Sequence, residues 1–287
     1  KVLLKQNHNI PLITFSVWYR AGSRNETDGI RGIAHFLEHM MFKGTKELKK
    51  GEISETIQKN GGIFNAFTFT DGTAYYETIS PKHLEKLIKI ESDRMKNSLL
   101  DQNELNLERT VVLSELEGGQ NSSVNNLDEK IKYVAYEQSP YKHPVIGYSA
   151  DVNKIDSAKM REFYEKYYIP NNAFIVLTGD FNESYALNLI NNYFGKLITK
   201  DLVQDVIAKE TLKSKESRLK LKKSGSYKLL QISYHIPEFR NKDIYALNVI
   251  EEILFKGRKS PLHKKLVEKN LVTEITGGSE SNIDPGL

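Results

Sequence analysis

The segment from Ile30 to Phe42 constrains the fold more than any other part of the chain. Its apolar residues recur at helical spacing, which predicts a helix with its apolar stripe buried against another layer. His35, Glu38 and His39 share another face of that helix. The preceding run at 12–20 alternates apolar and polar residues and predicts a strand with one buried face. The sequence therefore predicts a sheet covered by helices, one of which carries three ionisable side chains.

The rest of the chain mixes strands and helices without the strict alternation of a parallel βαβ protein, which indicates an α+β fold. The loop before the first helix offers Thr27 or Asp28 as its N-cap. Further strands are predicted at 63–69, 73–79 and 173–178, with a hairpin turn between the first two. Further helices are predicted at 50–60, 82–99, 101–117, 158–168 and up to about Phe194.

The pattern restarts after a weakly periodic stretch, and this indicates an internal repeat. A strand at 229–236 and a helix at 244–255 follow, and Phe255-Lys-Gly repeats the Phe42-Lys-Gly that ends the first helix. We therefore expect two related α/β-sandwich domains, each an antiparallel or mixed sheet packed by helices, the second incomplete in this chain. The predicted divisions are a domain at 1–198 that carries His35, Glu38 and His39, a linker at 199–212, and at 213–287 the N-terminal part of a second domain that lacks these histidines.

The composition excludes several classes of site and partner. There is no cysteine, so disulfides and thiolate metal sites are excluded. The 41 basic and 37 acidic residues are scattered and no nucleic-acid-binding motif accompanies them, so no nucleic-acid partner is predicted. No stretch approaches the roughly 18 apolar residues of a membrane span. The chain starts at Lys1, so we expect either a removed leader or a start inside a longer chain, and a removed leader favours the periplasm or cell envelope over the cytoplasm.

The run His35-Phe-Leu-Glu38-His39 predicts a metal site. Imidazoles at i and i+4 project from one side of a helix and can reach one zinc ion at about 2.0–2.1 Å. Both histidines lie among apolar residues, where an unpaired imidazole would cost stability, so a mere surface decoration is disfavoured. The pattern is an inverted zincin motif, and Glu38 borders the face of the two histidines without having to be a ligand.

A catalytic zinc site needs a third protein ligand, and the helix at 101–117 offers candidates. Glu108 and Glu115 are seven residues apart, on one stripe of that helix. Spacing alone leaves Glu104 and Glu117 open as alternatives, and it also allows an ordinary solvated acidic face.

Several runs of the sequence resemble one family, over residues 1–195, in order and at similar separations. They are the stretches 32–45, which contains the inverted motif, 61–67, 108–115, 139–147 and 168–180. They resemble the pitrilysin/insulinase family of inverted-motif zinc metallopeptidases, and most closely its bacterial members similar to mitochondrial-processing peptidase.

The resemblance implies a function and a set of site residues. His35, His39 and Glu115 would bind one Zn²⁺ per chain, and Glu108 would be a catalytic acidic residue supporting them. Glu38 would be the general base that activates the zinc-bound water. The implied activity is a zinc-dependent endopeptidase acting on extended peptides or unfolded segments. The alternative is a non-catalytic family scaffold or a peptide-binding subunit of a larger complex.

The resemblance also implies how peptide is held. Asn65, Ala66 and Phe67 would lie on an edge strand beside the metal, where an extended peptide adds through backbone hydrogen bonds. Family members bring an Arg and a Tyr to the substrate from a second half, but here Val267 and Thr273 or Glu274 stand at those positions. A second homologous subunit or a C-terminal half is therefore the expected partner.

Overall fold

The computed structural model describes residues 1–202, 210, 215–226 and 228–287, which form two compact units. The first consists of Lys1–Glu129 and His143–Val206, and the second of Lys130–Lys142 and Ile207–Leu287.

The first unit is built on a mixed five-stranded sheet. Its strands are β1 (Val2–Gln6), β2 (Ile13–Tyr19), β3 (Ile63–Thr68), β4 (Thr73–Ile79) and β5 (Ala173–Gly179). Their order across the sheet is β1-β5-β2-β4-β3, with β1 parallel to β5 and the remaining neighbours antiparallel. The predicted α+β class is confirmed, and among the residues that the structure describes β3 has a strand neighbour on one side only, which leaves it one free edge.

Helices pack on the face of the sheet that carries the inward residues of β2 and β4. The helices of this unit are α1 (Ile33–Met40), α2 (Glu52–Lys59), α3 (Leu84–Asn97), α4 (Gln102–Asn121), α6 (Ser149–Val152), α7 (Ser157–Tyr167) and α8 (Glu183–Phe194). Helix α5 (Ser123–Ala135) has residues in both units, and α9 (Asp243–Phe255) belongs to the second. Along α1, every residue except His35 and His39 is buried. This central position holds α1 against α4 and β3 at once.

The start of α1 differs from the prediction, because the helix begins at Ile33 and neither Thr27 nor Asp28 caps it. Its N-cap is Gly32, at a φ of 97°, and a Cβ built there would lie 2.5 Å from the carbonyl oxygen of Ile146. Only glycine fits both conditions. With no side chain at the N-cap, the first amides of the helix need an acceptor from elsewhere.

The buried Glu26 carboxylate supplies that acceptor. It accepts hydrogen bonds from the amides of Gly32 at 2.8 Å and Ala34 at 2.9 Å. Burial raises the pKa of Glu26 to about 8, and the two amide hydrogen bonds oppose that shift. The loop before α1 is thus tied to the helix that carries the histidines.

We expect Glu26→Ala to lower the free energy of unfolding by about 2 kcal/mol or more, because two buried amides lose their acceptor. Denaturant unfolding of the two proteins measures the difference. The control is Glu55→Ala, which removes an exposed carboxylate paired with Lys59 on α2. An equal effect of the two substitutions would contradict the capping role.

In the second unit, α9 forms close to the predicted 244–255, but the strand predicted at 229–236 is wrong. Of these residues only Ile236 pairs, in an isolated bridge with Gly286. Apolar alternation favours a strand, yet a strand exists only where a neighbour completes its hydrogen bonds. Most of the predicted linker at 199–212 lies outside the described residues.

Among the described residues, no helix combines the length and the apolar character that crossing a bilayer requires.

Candidate metal centre

Three side chains from two helices converge beside β3. His35 and His39 project from α1, and Glu115 reaches them from α4. The Oε2 atom of Glu115 lies 3.7 Å from Nε2 of His35 and 3.6 Å from Nε2 of His39. One ligand atom of each residue lies within 4.8 Å of those of the other two.

The donor set and its spacing fit zinc. Ligands at about 2.0–2.1 Å from a tetrahedral ion stand about 3.4 Å from one another, close to the two distances involving Glu115. Two imidazole nitrogens with one carboxylate oxygen are a donor set of catalytic zinc sites, which leave a fourth position open. Glu115 is the exposed member of the three, with 52% of its side chain accessible.

The other two candidates on α4 lie outside this cluster. Glu104 pairs with Lys50, whose Nζ is 2.6 Å away, and Glu117 is exposed. Spacing could not separate them from Glu115, whereas the packing of α1 on α4 brings Glu115 alone of the three to the histidines.

Glu108 takes a different position, on the far side of the His39 ring. Its Oε1 lies 3.0 Å from Nδ1 of His39, and its Oε2 contacts the Lys43 ammonium. Burial pushes the pKa of Glu108 upward, but the hydrogen bonds from Lys43 and His39 hold it below its ordinary value. An ionised carboxylate only accepts, so Nδ1 of His39 donates to Glu108, and Nε2 is the ring nitrogen that faces Glu115.

The surroundings of His35 favour its neutral form, which is the form that binds a metal. Burial, helped by the neighbouring His39, lowers its pKa to about 4. Its Nε2 faces Glu115, and its buried Nδ1 has no hydrogen-bond partner among the described residues. The two histidines therefore differ, since only His39 is oriented by a carboxylate.

Glu38 lies next to these residues without joining the cluster. It is 9% exposed, and its Oε2 accepts a hydrogen bond from the Thr68 hydroxyl at 2.6 Å. Burial raises the pKa of Glu38, and the hydrogen bond from Thr68 and the charge of His39 oppose the shift. A carboxylate with a raised pKa in a cleft is suited to take up and release a proton.

The site opens into a cleft of about 480 Å³. The lining residues are His35, Glu38, His39, Phe42, Lys43, Phe64, Asn65, Ala66, Phe67, Thr68, Glu108 and Glu115. The cleft thus runs along β3, whose second edge has no strand neighbour among the described residues.

The predicted substrate residues all lie on β3 but divide between its two faces. Ala66 pairs with Tyr75, which faces the helices, whereas Asn65 and Phe67 pair with residues of the opposite face. Asn65 Oδ1 accepts from the amide of Ala66 at 2.9 Å. Sequence reasoning missed Thr68, although the period of two from Ala66 already places it on the face of α1.

Comparison with known proteins shows what the chain is similar to. The model of the family described as "Insulinase (Peptidase family M16)" matches residues 1–149, and "Peptidase M16 inactive domain" matches residues 154–287. The zinc protease PqqE of Helicobacter pylori is 32% identical over 90% of this chain and 59% of that protein. The chain therefore spans less than two thirds of that relative.

Two solved structures extend the comparison. A protease from Helicobacter pylori has a TM-score of 0.85 and 29% identity, covering 96% of this chain and 68% of that chain. The periplasmic protease PqqL from Escherichia coli has a TM-score of 0.68 and 25% identity, covering 73% of this chain and 24% of that chain.

Proposed function

The chain belongs to the insulinase family, peptidase family M16, and on that premise we propose that it is the zinc-bearing part of a metalloendopeptidase acting on extended peptides or unfolded segments. The named relative and the family support a peptidase function. The observation that carries the proposal is the convergence of His35, His39 and Glu115 beside Glu38, at the open edge of β3.

The geometry of the site supports the following residue roles. His35, His39 and Glu115 would hold one zinc ion per chain, and Glu108 would keep the ring of His39 in the required tautomer. Zinc bound there would supply a Lewis acid for the scissile carbonyl and lower the pKa of the attacking water. Glu38 would take the proton of that water and return it to the leaving amine.

The free edge of β3 would hold the substrate. Backbone amides and carbonyls there can pair with an extended peptide and require little of its sequence. The amide of Ala66 donates to the side-chain oxygen of Asn65 in this structure. We infer that the Asn65 side chain turns away when a peptide pairs with that amide. A folded protein presents few unpaired strands, which favours extended or unfolded substrates.

We also propose that a second homologous subunit or a C-terminal half completes the substrate site. Support comes from Val267 and from Thr273 or Glu274, which stand where the resemblance implies Arg and Tyr, and from the longer relatives. Size-exclusion chromatography with activity measurements tests this: full peptidase activity of the chain as a monomer would contradict it.

The domain division and the location stay proposals as well. We keep residues 1–198 as the catalytic domain, 199–212 as a linker and 213–287 as part of a second, metal-free domain. The periplasmic PqqL supports an envelope location by similarity.

Removal of the metal tests the function directly. We expect the full assembly to contain about one zinc per three-ligand site, to cleave a peptide library, and to lose cleavage in a chelator. Zinc restores the activity because the ligands themselves are unchanged. Undiminished cleavage with the metal removed would refute the proposal, while a zinc-loaded assembly that binds peptides without cleaving them would favour the binding-subunit alternative.

A further inference from the structure

Thr68 connects the strand that faces the cleft to the carboxylate beside the metal cluster. It is the last residue of β3, and its side chain points to the face of α1, since its cross-strand partner is the buried Thr73. Its hydroxyl donates to Glu38 at 2.6 Å. One residue therefore links β3 to Glu38.

The hydroxyl of Thr73, which neighbours that of Thr68, has its own acceptor, so the Thr68 hydroxyl can donate to Glu38. Thr73 Oγ1 donates to the carbonyl oxygen of Ala21 at 2.7 Å and stands 3.2 Å from Thr68 Oγ1. Each hydroxyl has one proton to donate. Because Thr73 has a carbonyl acceptor, the carboxylate is the better acceptor for Thr68, and a hydrogen bond to an ionised oxygen is about twice as strong as a neutral one.

The strand also determines how far Glu38 stands from a bound peptide. A peptide that pairs with the free edge of β3 through its backbone would lie at the usual distance between neighbouring strands, about 4.8 Å. The hydroxyl of Thr68, together with its backbone amide, holds the Glu38 carboxylate relative to the same strand. The bound peptide and the Glu38 carboxylate would then both be positioned by β3.

We propose that Thr68 is a positioning residue, which holds the Glu38 carboxylate at a fixed place relative to the peptide-binding edge of β3. This inference rests on the proposed peptidase function and adds a residue to it. The side-chain hydrogen bonds of Thr68 go to Glu38 and Thr73 and not to His35, His39 or Glu115, so we expect its effect to pass through Glu38.

The test removes the hydroxyl. We expect Thr68→Val to lower kcat about tenfold, with KM changed less than about twofold and zinc content unchanged, since misplacing a catalytic group by about 1 Å can cost a hundredfold. Thr68→Ser keeps the hydroxyl and is expected to retain at least about half of kcat. The matched control is Thr78→Val, which removes a hydroxyl paired with Thr14 at 2.8 Å on the same sheet, away from Glu38.

A second measurement needs no activity. In zinc-free protein we compare the unfolding equilibrium of Thr68→Val in two backgrounds, wild type and Glu38→Met. The cycle cancels the effect of valine itself and isolates the hydrogen bond. We expect Thr68→Val to raise the unfolding constant about tenfold more in the wild-type background.

The outcomes separate this inference from the proposed function. Unchanged kcat in Thr68→Val, or no coupling with Glu38, overturns the positioning role. If Glu38→Gln itself keeps full activity, the proposed base is wrong and the function must be revised. Should valine crowd the site and prevent folding, Thr68→Ala provides the same comparison without an added methyl group.

Discussion

Glu38→Gln is expected to lower kcat by about 10²–10⁴, the usual contribution of a general base, while the protein keeps its zinc. Glutamine has the shape of glutamate, and its amide oxygen can still accept from Thr68, so the site keeps its geometry. The amide cannot take up a proton from water. Steady-state kinetics on a peptide substrate, together with metal analysis of the same preparation, measures both quantities.

The matched control is Glu104→Gln, which alters a carboxylate on α4 that pairs with Lys50 and is not among the residues lining the cleft. Its kcat should equal that of the wild type. Peptide hydrolysis by Glu38→Gln at the control's rate would show that another group activates the water. Loss of zinc from Glu38→Gln would show instead that Glu38 takes part in binding the metal.

Glu115→Ala is expected to weaken zinc binding by more than the about 10–100-fold that is lost when a residue supporting a ligand is changed, because it removes one of the three proposed ligands. Peptidase activity should disappear with the metal. The fold should tolerate the change, since the side chain is 52% exposed and its contacts are to the two histidines. Competition with a zinc chelator of known affinity measures the loss.

Glu117→Ala is the control for this experiment, because it removes an exposed carboxylate two residues further along the same helix. It should bind zinc like the wild type. Tight zinc binding by Glu115→Ala would reject this ligand set and would make Glu108 the next candidate, since that carboxylate already contacts His39.

The parts of the fold that could be predicted are those in which local periodicity and burial coincide. The inward positions of β2 and α1 are almost all apolar, whereas those of β4 combine Tyr75 and Ile79 with the buried polar residues Thr73 and Glu77. The bounds of all three elements agree with the pattern to within a few residues. β1 was missed because its residues are largely exposed, so its side chains show no apolar period. α5 was missed although Val124, Leu127 and Ile131 carry a helical period that could have revealed it.

A buried ionic group on α3 shows the limit of such reasoning. Arg94 is fully buried, contacts Glu91 and Glu77, and packs on the rings of Tyr75 and Phe42. A charged residue in a helix normally predicts a solvent-facing position. It becomes a core residue here because two carboxylates from different elements meet it there.

The sequence by itself determined the part of the site that one helix contains. Four residues make just over one helical turn, so His35 and His39 must point the same way and Glu38 must stand beside them. Tertiary structure decided the rest. Glu104, Glu115 and Glu117 are equivalent in spacing, and only the packing of α1 against α4 brings Glu115 to the histidines. The contacts of Thr68 with Glu38 and of Lys43 with Glu108 likewise join elements far apart in the chain, and distances between such elements depend on packing, which no local period encodes.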